Sequence, residues 1–286
     1  MTTVPAARDF AWPLTLCRLV TGSTILTMAT HHVLTWPWFK QFIHERFDPV
    51  FGLFIGPSLA HSLLEVSMRV QTAIEFALAT MLLIGHRLPL AASGAALLYL
   101  SNLGALTLEE LINPGQAHAQ RMQVLIWNHV QLVLALGALH LAGGAEMRTR
   151  VLHLLRLATG GQVLLPALWC AYLRVARPFD FFSTQTGYLL PALAWTFPLI
   201  VATLLAGALA LLVGWRLRPA CATIVGALLF VNSQFLLKPE SREGYSVYFA
   251  QMPLCDLVYI LMAELALLAA LAPGDSPPTE RPAARS

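Results

Sequence analysis

Residues 16–34 read LCRLVTGSTILTMATHHVL, and residues 154–170 read LLRLATGGQVLLPALWC. Both stretches carry Arg-Leu at their third and fourth positions, then Thr-Gly two residues later, and continue through apolar and small residues. Two further echoes follow in the same order and at nearly the same spacing. MLLIGHRL at 81–88 returns as LALLVGWRL at 209–217, and GAALLYLSN at 94–102 returns as GALLFVNS at 226–233. Repetition over this length means one supersecondary unit built twice. The chain therefore reads as two tandem four-helix units, residues 1–145 and 146–272. The tail at 273–286, rich in Pro, Ala and charge, is expected to be disordered.

Composition sets the environment of these units. Of the 286 residues, 57% are hydrophobic and only 12% are charged, where a soluble domain carries about 25% charge. The mean hydropathy is +0.65. A helix crossing a bilayer core needs about 20 mostly apolar residues. Eight segments qualify: Ala11–Leu34, Val70–Ile84, Leu88–Leu106, Met122–Leu141, Leu154–Val175, Leu190–Val213, Pro219–Leu237 and Val247–Leu271. The fold class expected is all-α, an integral membrane protein with about eight transmembrane helices. The first apolar run lacks a small-residue cleavage site and is expected to be an uncleaved span. Residues 35–58, rich in Trp and Phe, are expected to lie in the membrane interface.

Short basic connections follow the second, fourth and sixth spans. The positive-inside rule then puts both termini in the cytoplasm, and the cell inner membrane is the expected location. An even number of spans per unit gives both units the same orientation, a parallel repeat. The net charge of +3 is small and scattered, so nucleic acid is not an expected partner. Cys17, Cys170, Cys221 and Cys255 are far apart, with neither zinc nor redox spacing. No metal ligands are assigned.

Ionisable side chains at membrane depth are costly and point to function. The first unit holds Arg18, His32, Glu75 and His129 in or at the ends of its spans, with His61 and Glu65 just before the second. The second unit has Cys170 where the first has His32, and Leu204 where it has Glu75. On a helix, Arg18, Gly22, Ala29 and His32 share one stripe, with Arg18 and His32 about 20 Å apart along the axis. Small residues on that stripe permit close helix approach. Glu75, His129 and His32 are expected to converge in one outer-side cavity. Such a cluster can relay protons, ligate a metal or hydrogen-bond a quinone carbonyl. Against this stands the plainer reading of Arg18 and the histidines as snorkelling or interfacial groups.

In these residues the first unit resembles the DoxX-like family of small four-helix membrane proteins. The resemblance is carried by Arg18, Gly22 and a polar residue at His32 in the first helix, and by Glu75, Gly85 and Arg87 in the second. The second unit shows the same frame in Arg156, Gly160, Gly214 and Arg216. His32 stands where the family usually has Lys, and the second unit lacks the glutamate. The resemblance implies a four-helix bundle per unit and a link to membrane redox chemistry; some relatives are subunits of a thiosulfate:quinone oxidoreductase. On that footing a quinone is the expected ligand, with Glu75 and His129 handling protons as the catalytic pair. His32, Arg18 and His61 are the expected substrate-binding residues. No flavin or haem motif is visible, so an electron-donating protein partner is expected beside the lipid bilayer. A transporter and a non-catalytic anchor subunit are the alternatives.

Overall fold

The computed structural model describes residues 7–112, 129–130, 133–140, 148–176, 196–237 and 258–272. Among these residues the chain is all-helical. The first unit contains α1 (Ala7–Leu34), α2 (Trp36–Ile55), α3 (Pro57–Ile84), α4 (Leu88–Ile112) and α5 (residues 133–140). The second contains α6 (Arg148–Ala176), α7 (Phe197–Val213), α8 (Leu217–Leu237) and α9 (Val258–Leu271). Most of the expected fourth span, the starts of the sixth and eighth, and the tail lie outside the described residues.

In the first unit α1 packs on α3, and α2 lies across α3 and α4. In the second, α6, α7, α8 and α9 pack in a closed ring, each against the next. The units meet where α9 runs along α1. One apolar core runs through both units, from Cys17, Ile25 and Leu82 to Leu211, Ile224 and Leu265.

The sequence repeat recurs as repeated contacts. Gly22 of α1 sits so close to α3 that an added methyl would lie 3.2 Å from Leu82 Cβ and 3.1 Å from Leu83 Cγ. Gly160 of α6 meets Leu211 and Leu212 of α7 in the same way, at 3.4 and 3.0 Å. Small residues at these crossings let the backbones approach, and the neighbouring leucines fill the groove.

Helices α3 and α7 end alike. Gly85 and Gly214 take left-handed backbone angles, φ +73° and +77°. Their amides, and those of His86 and Trp215, bond back to the last helical turn. This is a Schellman-type stop, which favours Gly because a Cβ is strained there. Arg87 and Arg216, two residues on, are also left-handed, at φ 45° and 44°. In both units the arginine at the head of the repeat lies over this stop: Arg18 over Gly85, Arg156 over Gly214. A guanidinium belongs there, at the negative end of the helix dipole.

Small and polar side chains share the interior of the first unit with apolar ones, while many large aliphatic side chains face outward. Buried positions of α1, α3 and α4 include Thr21, Ala29, Thr72, Glu75, Ala79, Ala91, Ala92 and Ala95. Leu19, Val66, Val70, Ile84, Leu90, Leu97 and Leu100 point outward and are exposed. Helices α3 and α4 are long and apolar enough to cross a membrane, yet only 28% of the best window of each is buried. A soluble core helix of that composition would be mostly covered. The expected second span, Val70–Ile84, is the C-terminal part of the longer α3. The stretch expected at the interface is largely helix α2, with His44, Phe47 and Val50 buried. Glu109, beyond the expected end of the third span at Leu106, lies inside α4 and pairs with Arg46 of α2 at 3.4 Å.

Candidate functional site

The stripe on α1 faces α3 along its length, so Arg18 meets the end of α3 while His32 meets Glu75, ten residues earlier. His32 Nδ1 lies 3.2 Å from Glu75 Oε2. The Glu75 side chain is fully buried and that of His32 is 16% exposed. Gln71, one turn back on α3, donates from Nε2 to Glu75 Oε1 at 3.0 Å. Both carboxyl oxygens thus have a partner, as a buried carboxyl requires. The His32 ring is clamped from its other side by Phe39 of α2, stacked at 4.0 Å with an interplanar angle of 12°.

These groups form one wall of a cavity of about 440 Å³ enclosed by α1, α2, α3, α4 and His129. Phe39, Phe42, Phe47 and Phe51 of α2 supply an aromatic floor. Opposite them, the fully buried Tyr99 of α4 tilts against His129 at 5.4 Å between ring centroids. The Tyr99 hydroxyl lies near Glu75 but makes no hydrogen bond of good geometry among the described residues. Ser67, Ser101 and Asn102 complete the polar lining. Val70 and Ile74 also line the cavity while being 52% and 40% exposed, so part of its rim is aliphatic and faces outward. The volume falls in the range of pockets that hold small organic ligands, about 300–1,000 Å³.

Of the five expected site residues, the structure brings together Glu75, His32 and His129. Arg18 is not among the lining residues; it sits at the end of α3 with a twin in Arg156. His61 is also outside the cavity, hydrogen-bonded to Asp48 of α2 at 2.7 Å. Glu65, four residues on, instead pairs with Lys40 at 3.1 Å and Arg69 at 2.7 Å.

Sequence reasoning missed Gln71, Tyr99 and Phe39. Gln71 had a signal, since Gln and Glu at i and i+4 share a helix face. Tyr99 was hidden inside an apolar helix; at the spacing that pairs Glu75 with Leu204 its counterpart in the second unit is Leu228, also buried. That substitution, like Glu75 to Leu204, marks the first unit as the one with a polar interior. Leu204 is buried, 3% exposed, in the place that Glu75 occupies in the first unit.

A second buried carboxyl, Glu264 of α9, has both oxygens without a hydrogen-bond partner among the described residues, as do Thr21 Oγ1 and both polar atoms of Gln162.

Comparison with protein-family models, curated proteins and solved structures gives no match.

Proposed function

We propose that this chain is a DoxX-like, multi-pass inner-membrane protein with eight spans and both termini cytoplasmic. In this reading its first unit binds a quinone as the membrane subunit of an oxidoreductase. The outward Leu, Val and Ile faces and the small, polar interior support the membrane setting. The observation that carries the ligand reading is the cavity itself. It joins an aromatic floor, a buried Glu–His pair and a buried phenol to a rim of exposed Val70 and Ile74. An amphipathic ring compound dissolved in the bilayer can enter across such a rim.

A quinone accepts two electrons and two protons at its ring oxygens. The residues present suit the proton side. Tyr99 offers a hydroxyl donor toward the cavity, and one proton lies between His32 Nδ1 and Glu75 Oε2 whichever group carries it. Gln71 fixes the carboxyl and Phe39 fixes the imidazole. His129, against Tyr99, is the second proton-handling group. Electrons come from a partner protein in this reading. Arg18 keeps α1 and α3 in register and takes no part in chemistry.

The test is native mass spectrometry of gently purified protein, followed by binding of added quinone in detergent. Quinone bound to the wild type and lost on Glu75→Gln is the expected result. Quinone-free wild type that also fails to bind added quinone would overturn the reading. Solute uptake by proteoliposomes that depends on Glu75 would instead favour a permeation pathway.

A further inference from the structure

Outside the cavity, α2 and the first turns of α3 hold a second polar cluster. Gly56, at φ +84°, and Pro57 turn the chain sharply between the two helices, so the start of α3 folds back on the end of α2. His44 and Asp48, four apart, share a face of α2, and His61 reaches them from α3. His44 Nδ1 lies 3.0 and 3.1 Å from the two Asp48 oxygens, and His61 Nδ1 lies 2.7 Å from Oδ2. The imidazoles stack at 3.8 Å. One ligand atom from each of the three residues falls within 4.8 Å of the others.

Charge accounting sharpens the point. The cations of this region are taken: Lys40 and Arg69 by Glu65, and Arg46 by Glu109. Asp48 is left to two imidazoles. Burial pushes its carboxyl up, but the hydrogen bonds from His44 and His61, with their charges, outweigh this and hold it below the usual carboxylate range. His44 is nine-tenths buried, and its Nε2 has no partner among the described residues. Two imidazole nitrogens and a carboxylate are the donor set of zinc and its neighbours, and imidazole donors do not suit calcium or magnesium.

We propose that His44, Asp48 and His61 form a binding site for a divalent transition ion of the zinc class. The ion would replace the protons that now lie between the imidazoles and Asp48. The stacked rings must splay for both nitrogens to face it, and His61, half exposed, is free to move. Water would fill the remaining positions, as in open three-ligand sites. Because Ile43, Phe47 and Phe51 of α2 line the cavity, such an ion would pin α2 to α3 beneath the aromatic floor. This site does not depend on the quinone reading.

The experiment uses the full chain in detergent, stripped with chelator and titrated with Zn²⁺ by calorimetry. Co²⁺ serves as the optical probe. One ion per chain at micromolar concentration is expected, with a Zn²⁺-dependent rise in melting temperature. His61→Ala and Asp48→Asn should each weaken binding at least about tenfold and abolish the rise. Their metal-free melting temperatures control for folding. No binding by the wild type, or binding by either variant as tight as the wild type's, would overturn the site.

Discussion

The His32–Glu75 pair can be weighed by a double-mutant cycle that the second unit itself suggests. Leu204 shows that this scaffold accepts leucine where Glu75 stands. Glu75→Leu therefore removes the carboxyl without asking the fold for a new shape. It strands two donors, the Gln71 amide and the His32 ring, in an enclosed wall. Each stranded polar group costs about 1–3 kcal/mol, offset in part by the added apolar contact. His32→Phe keeps the stack on Phe39 and removes the nitrogens. Interhelical hydrogen bonds in membranes average about 0.6 kcal/mol and reach about 1.7. The full burial of the Glu75 carboxyl, away from competing water, places this pair at the upper end. The expected coupling is about 1.5 kcal/mol, roughly tenfold in the folding equilibrium. Reversible unfolding in mixed micelles would measure it. The double variant should be more stable than the summed single losses imply, while ligand binding stays absent. A coupling below about 0.5 kcal/mol, the usual limit of additivity, would mean that the pair contributes no specific energy. The reading of Glu75 as a held proton carrier would fall with it.

Two other substitutions test the scaffold and the cavity separately. Gly85→Ala and Gly214→Ala should destabilise alike, by about 1–2 kcal/mol for the left-handed backbone plus a clash with Arg18 or Arg156; unequal losses in unfolding experiments would contradict the twin geometry. Tyr99→Phe removes a hydroxyl that has no well-formed bond, so melting temperature should hold or rise while quinone affinity falls about tenfold, the worth of one hydrogen bond.

Much of the architecture was legible because it rests on periodicity. The Arg–Gly start of α1 and its copy in α6, the Gly–basic stops of α3 and α7, and the stripe joining Arg18 to His32 follow from helical spacing alone. The site was legible as far as burial cost could point to it, which is why Glu75, His32 and His129 were singled out. What failed to show were partnerships between elements. His44 looked interfacial and Asp48 looked unremarkable, because the residue that completes them, His61, arrives only through the turn at Gly56. Glu109 fell outside the expected third span for the same reason: its partner Arg46 is 63 residues earlier. Composition could suggest that α2 was amphipathic, but not that its polar face meets other helices.

The matched ends of α3 and α7 make the molecule its own control. A change of lipid, detergent or temperature reaches both Gly–x–Arg turns, whereas occupancy of the cavity reaches only the first. Spectroscopic probes placed at the two turns would therefore form a differential sensor within a single polypeptide. Signals common to both would report the solvent, and the difference between them would report the ligand.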